Sequence, residues 1–406
     1  MGSVAAKMVG LLSMPVLARL YTPENFGRLS FFIATTAVIG SLVTFRYVAA
    51  LPIPKSQIRA QALLLTVTSL ALASSVIATI LLFGIARVCT RAKWCGLDVF
   101  WTEYWWLVSL GSLGVGLYEI LTMWANRERR YTALAKSQFW QAISGTSVKL
   151  VGGFVAPGPV SLILGQVVQQ SGGILGLVGS ALVNLKRAWR RFRGKHIAAI
   201  LVRFSDFAVY KLPAHFIYAL AAQAPILLGM RIWGAAVTGQ LGLAFQVVAL
   251  PTVLISQNVS KVYYGELASI GRANPETASQ LTKDMLHRML LFGAVASAGL
   301  FAIAPTAFSI VFGAKWALAG DIARALALYI PAQFIASPIM AAFNIYGNQR
   351  QVLVIHASRG VLVIATLFAC SHFGLQVTHT MYVYSGVLAA HYIYTARKAL
   401  QIIKGC

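Results

Sequence analysis

Apolar residues in this chain come in blocks of about 20, separated by short polar, basic or Pro/Gly-rich punctuation. An α-helix rising 1.5 Å per residue needs about that length to cross a hydrocarbon core of roughly 30 Å. The blocks predict about twelve spans, at approximately 3–20, 29–51, 62–86, 104–124, 138–156, 160–184, 207–230, 236–258, 288–312, 321–345, 352–371 and 377–396. The tight turn Ala156-Pro157-Gly158-Pro159 suits a chain reversal between two antiparallel helices. The first block, Val4 to Leu20, is followed by Arg19-Leu20-Tyr21-Thr22-Pro23 and lacks a small-residue cleavage site, so it reads as a retained span. The expected fold class is an all-α integral membrane protein.

Composition agrees with that pattern. The 406 residues are 58% hydrophobic and 11% charged, whereas soluble domains carry about 25% charged residues. The formal net charge of +24 raises the question of nucleic acid. The densest basic run, Lys186 to Lys195, instead lies between two spans, where membrane proteins place cytoplasmic cations facing anionic headgroups. With the amino terminus inside, inside segments carry 21 lysines and arginines and outside segments seven. That bias puts both termini and the 185–206 loop in the cytoplasm. The loop also divides the chain into 1–190 and 191–406, two six-helix bundles.

The halves share a faint repeat. Arg19, Tyr21, Gly27 and Leu29 match Arg231, Trp233, Gly239 and Leu241 at an offset of 212. Gln141 and Lys149 match Gln351 and Arg359 at an offset of 210. Six spans return the chain to its starting side, so duplicated halves predict a pseudo-twofold axis along the membrane normal, with a binding site where they meet.

Candidate chemistry lies in cations inside the spans. Lys7, Arg46, Lys149, Lys211, Arg324 and Arg359 fall in apolar segments, and Glu119 is the acidic residue placed well inside one. A cation at mid-membrane costs roughly 2.5–3.5 kcal/mol on insertion scales. Several of them with little acid nearby predict an electropositive, water-filled cavity that attracts an anion. Lys149 lies about 16 Å into its span and Arg359 about 10 Å, from the helical rise. Lys7, Arg46 and Lys211 lie nearer the cytoplasmic ends, either snorkelling to headgroups or forming a cytoplasm-facing entrance. Arg324 follows Asp321 by three residues and suits a surface ion pair. Glu119 is a candidate for coupling transport to a proton or sodium gradient, or a local hydrogen-bonding group. Trp101, Tyr104, Trp105 and Trp106 read as an interfacial belt. Cys89 and Cys95 flank one loop and would form a small disulfide or remain thiols; neither the cysteines nor the histidines have metal-ligand spacing.

Pro15-Val16-Leu17-Ala18-Arg19-Leu20-Tyr21-Thr22-Pro23-Glu24-Asn25-Phe26-Gly27 resembles the opening of polysaccharide-biosynthesis flippases of the O-antigen type. Arg46 to Lys55 resembles their second span and its exit. Phe312 to Gly320, followed by Gln333 to Pro338, resembles the loop before the tenth span and its continuation. The resemblance covers nearly the whole chain. It implies the multidrug/oligosaccharidyl-lipid/polysaccharide exporter superfamily, two six-helix bundles and an inner-membrane location. It also implies a flippase that carries undecaprenyl-pyrophosphate-linked sugars for surface polysaccharide such as the lipopolysaccharide O-antigen, in company with a polymerase and other assembly proteins. The family often has an acid soon after the arginine-tyrosine pair; here Val48-Ala49-Ala50 follow, which leaves Arg46 without an adjacent counter-charge. The chain also starts almost directly in span one, which implies a short preceding segment.

The residues themselves agree with an anionic substrate. Arginine offers a planar fork to two phosphate oxygens and lysine a mobile point charge. The substrate-binding candidates are therefore Lys149, Arg359, Lys7, Arg46 and Lys211, with Glu119 for coupling. No phosphate-binding glycine loop, Gly-x-Ser-x-Gly elbow or His-Glu-x-x-His motif is present, so the reading is a transporter without a cofactor, not an enzyme. Two other readings compete. A cation-coupled multidrug exporter of the same superfamily would want carboxylates in its cavity. A membrane-embedded glycosyltransferase would want catalytic acids and a large outer loop.

Overall fold

The computed structural model describes residues 2–92, 98–192, 194–271, 274–346 and 349–404. Cys95, and with it the Cys89–Cys95 pairing, lies outside these residues, as do Lys93, Arg193, Arg272 and Cys406. Every regular element among the described residues is helical, and the chain divides into two compact units, Met1–Ala219 and Leu220–Cys406.

The first unit holds α1 (Gly2–Leu20), α2 (Pro23–Val43), α3 (Gln57–Ala92), α4 (Asp98–Arg127), α5 (Tyr131–Val155), α6 (Pro159–Ser171), α7 (Ile174–Arg191) and α8 (Gly194–Arg203). It ends inside α9 (Leu212–Ile232). Local chemistry explains several boundaries. Pro23 opens α2, where its missing N–H costs nothing, and the Thr22 hydroxyl caps the helix by accepting from the Asn25 N–H at 3.3 Å. Glu24 in the first turn complements the helix dipole and holds Arg28 at 2.8 Å. The Pro/Gly junction between α5 and α6 makes the expected reversal.

The core of this unit packs Leu63, Leu64 and Val67 of α3 against Ile120 and Trp124 of α4 and Leu177 of α7. Ile200 of α8 joins that core, Phe207 packs against it, and the Tyr47 hydroxyl donates to the Leu201 carbonyl at 3.1 Å. These contacts tie the chain beyond 190 to the first unit, which runs to Ala219. The chain beyond 190 has apolar side chains to bury, and it buries them in the first unit.

The second unit continues with α10 (Gly234–Pro251), α11 (Gln257–Ile270), α12 (Pro275–Phe312), α13 (Ala317–Ala327), α14 (Ile330–Ile345), α15 (Gln349–His372) and α16 (Val377–Lys404). Trp316, Ile322, Phe334 and Phe343 are fully enclosed at its centre. The Tyr263 hydroxyl lies 2.8 Å from that of Thr282, which ties α11 to α12.

Among the described residues, seven helices are long and apolar enough to span a bilayer, and two bent helix pairs bring the number up to nine. The pairs are Pro159–Ser171 with Ile174–Arg191, bent by 41°, and Ala314–Ala327 with Ile330–Met340, bent by 59°. They correspond to the sixth and tenth expected spans. The first, fifth and twelfth expected spans are helical as α1, α5 and α16 but fall outside that number. Lys149 in α5, and Tyr384 and His391 in α16, are among the polar groups that lower their hydropathy.

Outward faces are strongly apolar. On α3, Val76, Ile80 and Leu81 are each about 60% exposed, at 59%, 64% and 61%. Contiguous apolar surface on this scale is unfavourable in water and natural in hydrocarbon. The chain is a multi-pass, all-α membrane protein.

Candidate functional site

The most unusual backbone in the first unit lies where α2 ends. Phe45 and Arg46 both adopt left-handed conformations, with φ of 45° and 59°. Bulky side chains rarely do so, and such strain concentrates at functional sites. A 3₁₀ turn, Tyr47–Ala50, follows. The turn is held from several sides. The Ser74 hydroxyl donates to the Val43 carbonyl at 2.7 Å and so satisfies a helix-end acceptor. Arg46 Nη1 donates to Glu119 Oε1 at 2.8 Å, and the Thr44 hydroxyl donates to Glu119 Oε2 at 3.4 Å.

Arg46 therefore has a counter-charge, on α4 and not beside it in sequence. Glycine makes this pairing reachable. A Cβ built on Gly116 would sit 2.4 Å from Val43 Cγ1, so only glycine lets α2 and α4 approach this closely. Glu119 is one helical turn beyond Gly116 on α4 and meets the residues just past Val43. The ion pair is partly exposed, with side-chain exposures of 22% and 25%. Arg46 Nε is buried and has no acceptor among the described residues.

Two further basic groups share this neighbourhood. Lys211 closes a π-helical turn, Phe207–Lys211, which packs against the 47–50 turn. Such turns are frequent at functional sites. Its ammonium lies 4.1 Å from the Phe207 ring centroid, a cation–π contact. His215, one turn further on α9, stacks on Tyr218. Both Lys211 and His215 lie within electrostatic reach of Arg46. Of the three entrance candidates, Arg46 and Lys211 come together, while Lys7 is exposed on α1. Sequence reasoning missed His215; its spacing of four from Lys211 was the available signal.

The Lys149 side chain is enclosed between α5 and α6, with 7% exposure. The ammonium donates to Gln166 Oε1 at 2.6 Å and Gln169 Oε1 at 2.7 Å. The Tyr21 hydroxyl donates to the Lys149 backbone carbonyl at 2.7 Å. A Cβ on Gly165 would come within 2.4 Å of Lys149 Cγ, so the glycine on α6 makes room for the lysine stem. The two glutamines three apart on α6 were the sequence signal for this enclosure.

In the second unit, Arg359 on α15 is half-buried in an aromatic cluster. Its guanidinium lies 5.5 Å from the Tyr392 centroid and within electrostatic reach of the Tyr384 hydroxyl. Tyr329 packs on both rings, with centroid distances of 6.3 and 6.4 Å. Beside it, Ser358 Oγ lies 3.0 Å from His391 Nε2. Tyr384, His391 and Tyr392 repeat at helical spacing along α16, a pattern that could have been read in the sequence. Arg324 is corrected as well. Its Nε donates to the Phe301 carbonyl at 3.0 Å and its guanidinium lies 5.7 Å from the Phe301 centroid, with no ion pair to Asp321 among the described residues.

Lys149, Lys211, Arg324 and Arg359 thus meet neutral groups. Glutamine oxygens, tyrosines and carbonyls offset part of the desolvation without adding negative charge. Of the six candidate cations, Arg46 is the one with a carboxylate partner among the described residues. Among the described residues, no group of three or more His, Cys, Asp or Glu side chains is arranged to hold a metal.

Comparison with known proteins places these features in context. Residues 16–320 match the model of a family described as polysaccharide biosynthesis protein. No curated protein sequence is significantly similar. Among solved structures, an inward-facing MATE-family multidrug resistance transporter of the MOP superfamily superposes with a TM-score of 0.76 and 13% identity, over 98% of this chain and 96% of that one. The lipid II flippase MurJ, inward closed, gives 0.74 and 16%, over 99% and 89%. The MATE multidrug transporter DinF-BH gives 0.65 and 16%, over 100% and 95%. At these identities the likeness establishes a common fold.

Proposed function

We propose, from the premise that this chain belongs to the polysaccharide biosynthesis protein family, that it is a flippase for a polyprenyl-pyrophosphate-linked oligosaccharide. The observation that carries this reading is the Arg46 site. There a buried guanidinium N–H lacks an acceptor, a lysine and a histidine lie within electrostatic reach, and one carboxylate is present to balance them. A pyrophosphate supplies what that site lacks. One oxygen would accept from Arg46 Nε, and a neighbouring oxygen would attract Lys211.

A phosphate arriving at Arg46 would compete with Glu119. The displaced carboxylate would then take up a proton, which gives a route for coupling to a proton gradient; sodium at the same carboxylate is the alternative. Arg359, in its tyrosine cluster within the second unit, is a separate candidate for contact with phosphate. Alternating access would expose these cations first to the cytoplasm and then to the outer face. On this reading the protein resides in the inner membrane with both termini cytoplasmic, works alongside a polymerase and assembly partners, and serves O-antigen or related lipopolysaccharide synthesis.

The likeness to MATE transporters keeps a second reading open, export of organic cations. The disposition of charge speaks against it, because Glu119 is already bonded to Arg46 and the surrounding groups are basic. The test is a reconstituted flipping assay with a fluorescent lipid-linked oligosaccharide and, in parallel, a cationic dye. Flipping of the lipid that falls at least tenfold in Arg46→Ala supports the proposal. Dye transport with no lipid movement overturns it.

A further inference from the structure

A second group of basic residues, sharing none with the Arg46 cluster, lies at the amino-terminal end of α3. This helix has 36 residues, about 54 Å at 1.5 Å per residue, well beyond the roughly 30 Å hydrocarbon core. Its apolar run begins near residue 62, so the first turn, with Arg59, extends to headgroup level. There a cavity of about 450 Å³ opens, with Lys55, Ser56, Arg59 and Arg203 on its polar side. Ile53, Pro54 and Phe204 form the apolar side, and no carboxylate lines it. Asp206, the nearest acid in sequence, is exposed outside it.

The walls are fixed. Arg127 Nη1 donates to the Pro54 carbonyl at 2.5 Å and the Leu51 carbonyl at 3.4 Å, which anchors the 51–54 turn to α4. The bond from Tyr47 to the Leu201 carbonyl at 3.1 Å holds the end of α8, and therefore Arg203, over the start of α3. Three cations gathered without an acid repel one another and favour an anion between them. Large apolar side chains are exposed at the same place: Ile53 is 58% exposed and Val202, next to Arg203, 76%. A free phosphate would leave them in water, whereas a lipid would cover them with its glycerol and acyl chains.

We infer that this pocket binds the phosphate of an anionic glycerophospholipid from the surrounding membrane. Lys55, Arg59 and Arg203 hold the phosphodiester, the Ser56 hydroxyl donates to one of its oxygens, and Ile53 and Val202 pack along the chains. The pocket shares no residue with the proposed transport site.

The test is lipid binding to the purified full chain in nonionic detergent, read by native mass spectrometry. Phosphatidylglycerol and phosphatidylcholine are titrated separately. The first phosphatidylglycerol is expected to bind about tenfold more tightly than phosphatidylcholine. The paired change Arg59→Gln with Arg203→Gln should remove that preference. Arg187→Gln with Arg190→Gln, an equal loss of charge on the exposed face of α7, should leave it within about twofold. Lys55→Gln alone, expected to weaken binding severalfold, serves if the pair fails to fold as judged by size exclusion and circular dichroism. Equal binding of the two lipids overturns the inference, and so does an equal loss in the α7 control. Displacement by excess glycerol 3-phosphate would assign the pocket to a soluble phosphate. Tighter capture of undecaprenyl pyrophosphate than of phosphatidylglycerol would assign it to substrate entry. Either result refutes a bulk-lipid site.

Discussion

Glu119→Gln isolates the electrostatic part of the turn at Arg46. Glutamine keeps the shape of the side chain and an acceptor oxygen, so the change removes charge and little packing. A charge-assisted hydrogen bond contributes about 1.5–3 kcal/mol net. Water reaches roughly a quarter of each side chain, with exposures of 22% and 25%, which places this pair in the lower part of that range. The expected loss is about 1.5–2 kcal/mol, on the order of 10- to 30-fold in the unfolding constant. The strained backbone sharpens the prediction. Phe45 and Arg46 in left-handed conformations cost about 1–2 kcal/mol each, so the turn depends on the bonds that hold it. Unfolding by SDS titration in mixed micelles measures the loss, and a double-mutant cycle with Arg46→Met isolates the coupling. A sign test follows from the neighbouring lysine. Without Glu119, Arg46 and Lys211 face each other uncompensated, so adding Lys211→Met to Glu119→Gln should recover part of the stability. A coupling near zero, or a further loss on adding Lys211→Met, would refute the reasoning.

Three further outcomes are expected. Gly116→Leu should force α2 and α4 apart, because even a Cβ meets Val43 at 2.4 Å; the folded yield by size exclusion should fall steeply, and wild-type yield would contradict the close approach. Lys149→Arg should destabilise by about 1–3 kcal/mol, because a larger planar head must fit the enclosed space where Gln166 and Gln169 hold the ammonium at 2.6 and 2.7 Å. An unchanged SDS midpoint for that variant would show that charge alone matters there. Arg359→Lys should lose about 1 kcal/mol, since a point charge replaces a planar group that lies over the Tyr392 ring; a melting temperature equal to wild type would argue against the cluster.

The amino-acid sequence by itself determined the secondary structure and the environment of this protein. Blocks of about 20 apolar residues leave an α-helix as the structure that satisfies every backbone group in lipid, and the segments expected to span are helical. The start of α2 at Pro23, six residues ahead of the expected span at 29, rests on a local capping interaction at Thr22. The basic residues at the site were legible too, since a cation in an apolar run stands out. Their partners were decided by tertiary structure. Glu119 lies 73 residues from Arg46 and reaches it because Gly116 lets two helices nearly touch. Lys149 faces Gln166 and Gln169 across a helix crossing, and Arg359 meets tyrosines of other helices. Depth along a span can be estimated from one sequence. The face toward which a residue turns, and the group that meets it there, depend on packing between helices far apart in the chain. The pocket at the start of α3 has the same origin, because Arg203 joins Lys55 and Arg59 only once α8 has packed its apolar side against the first unit.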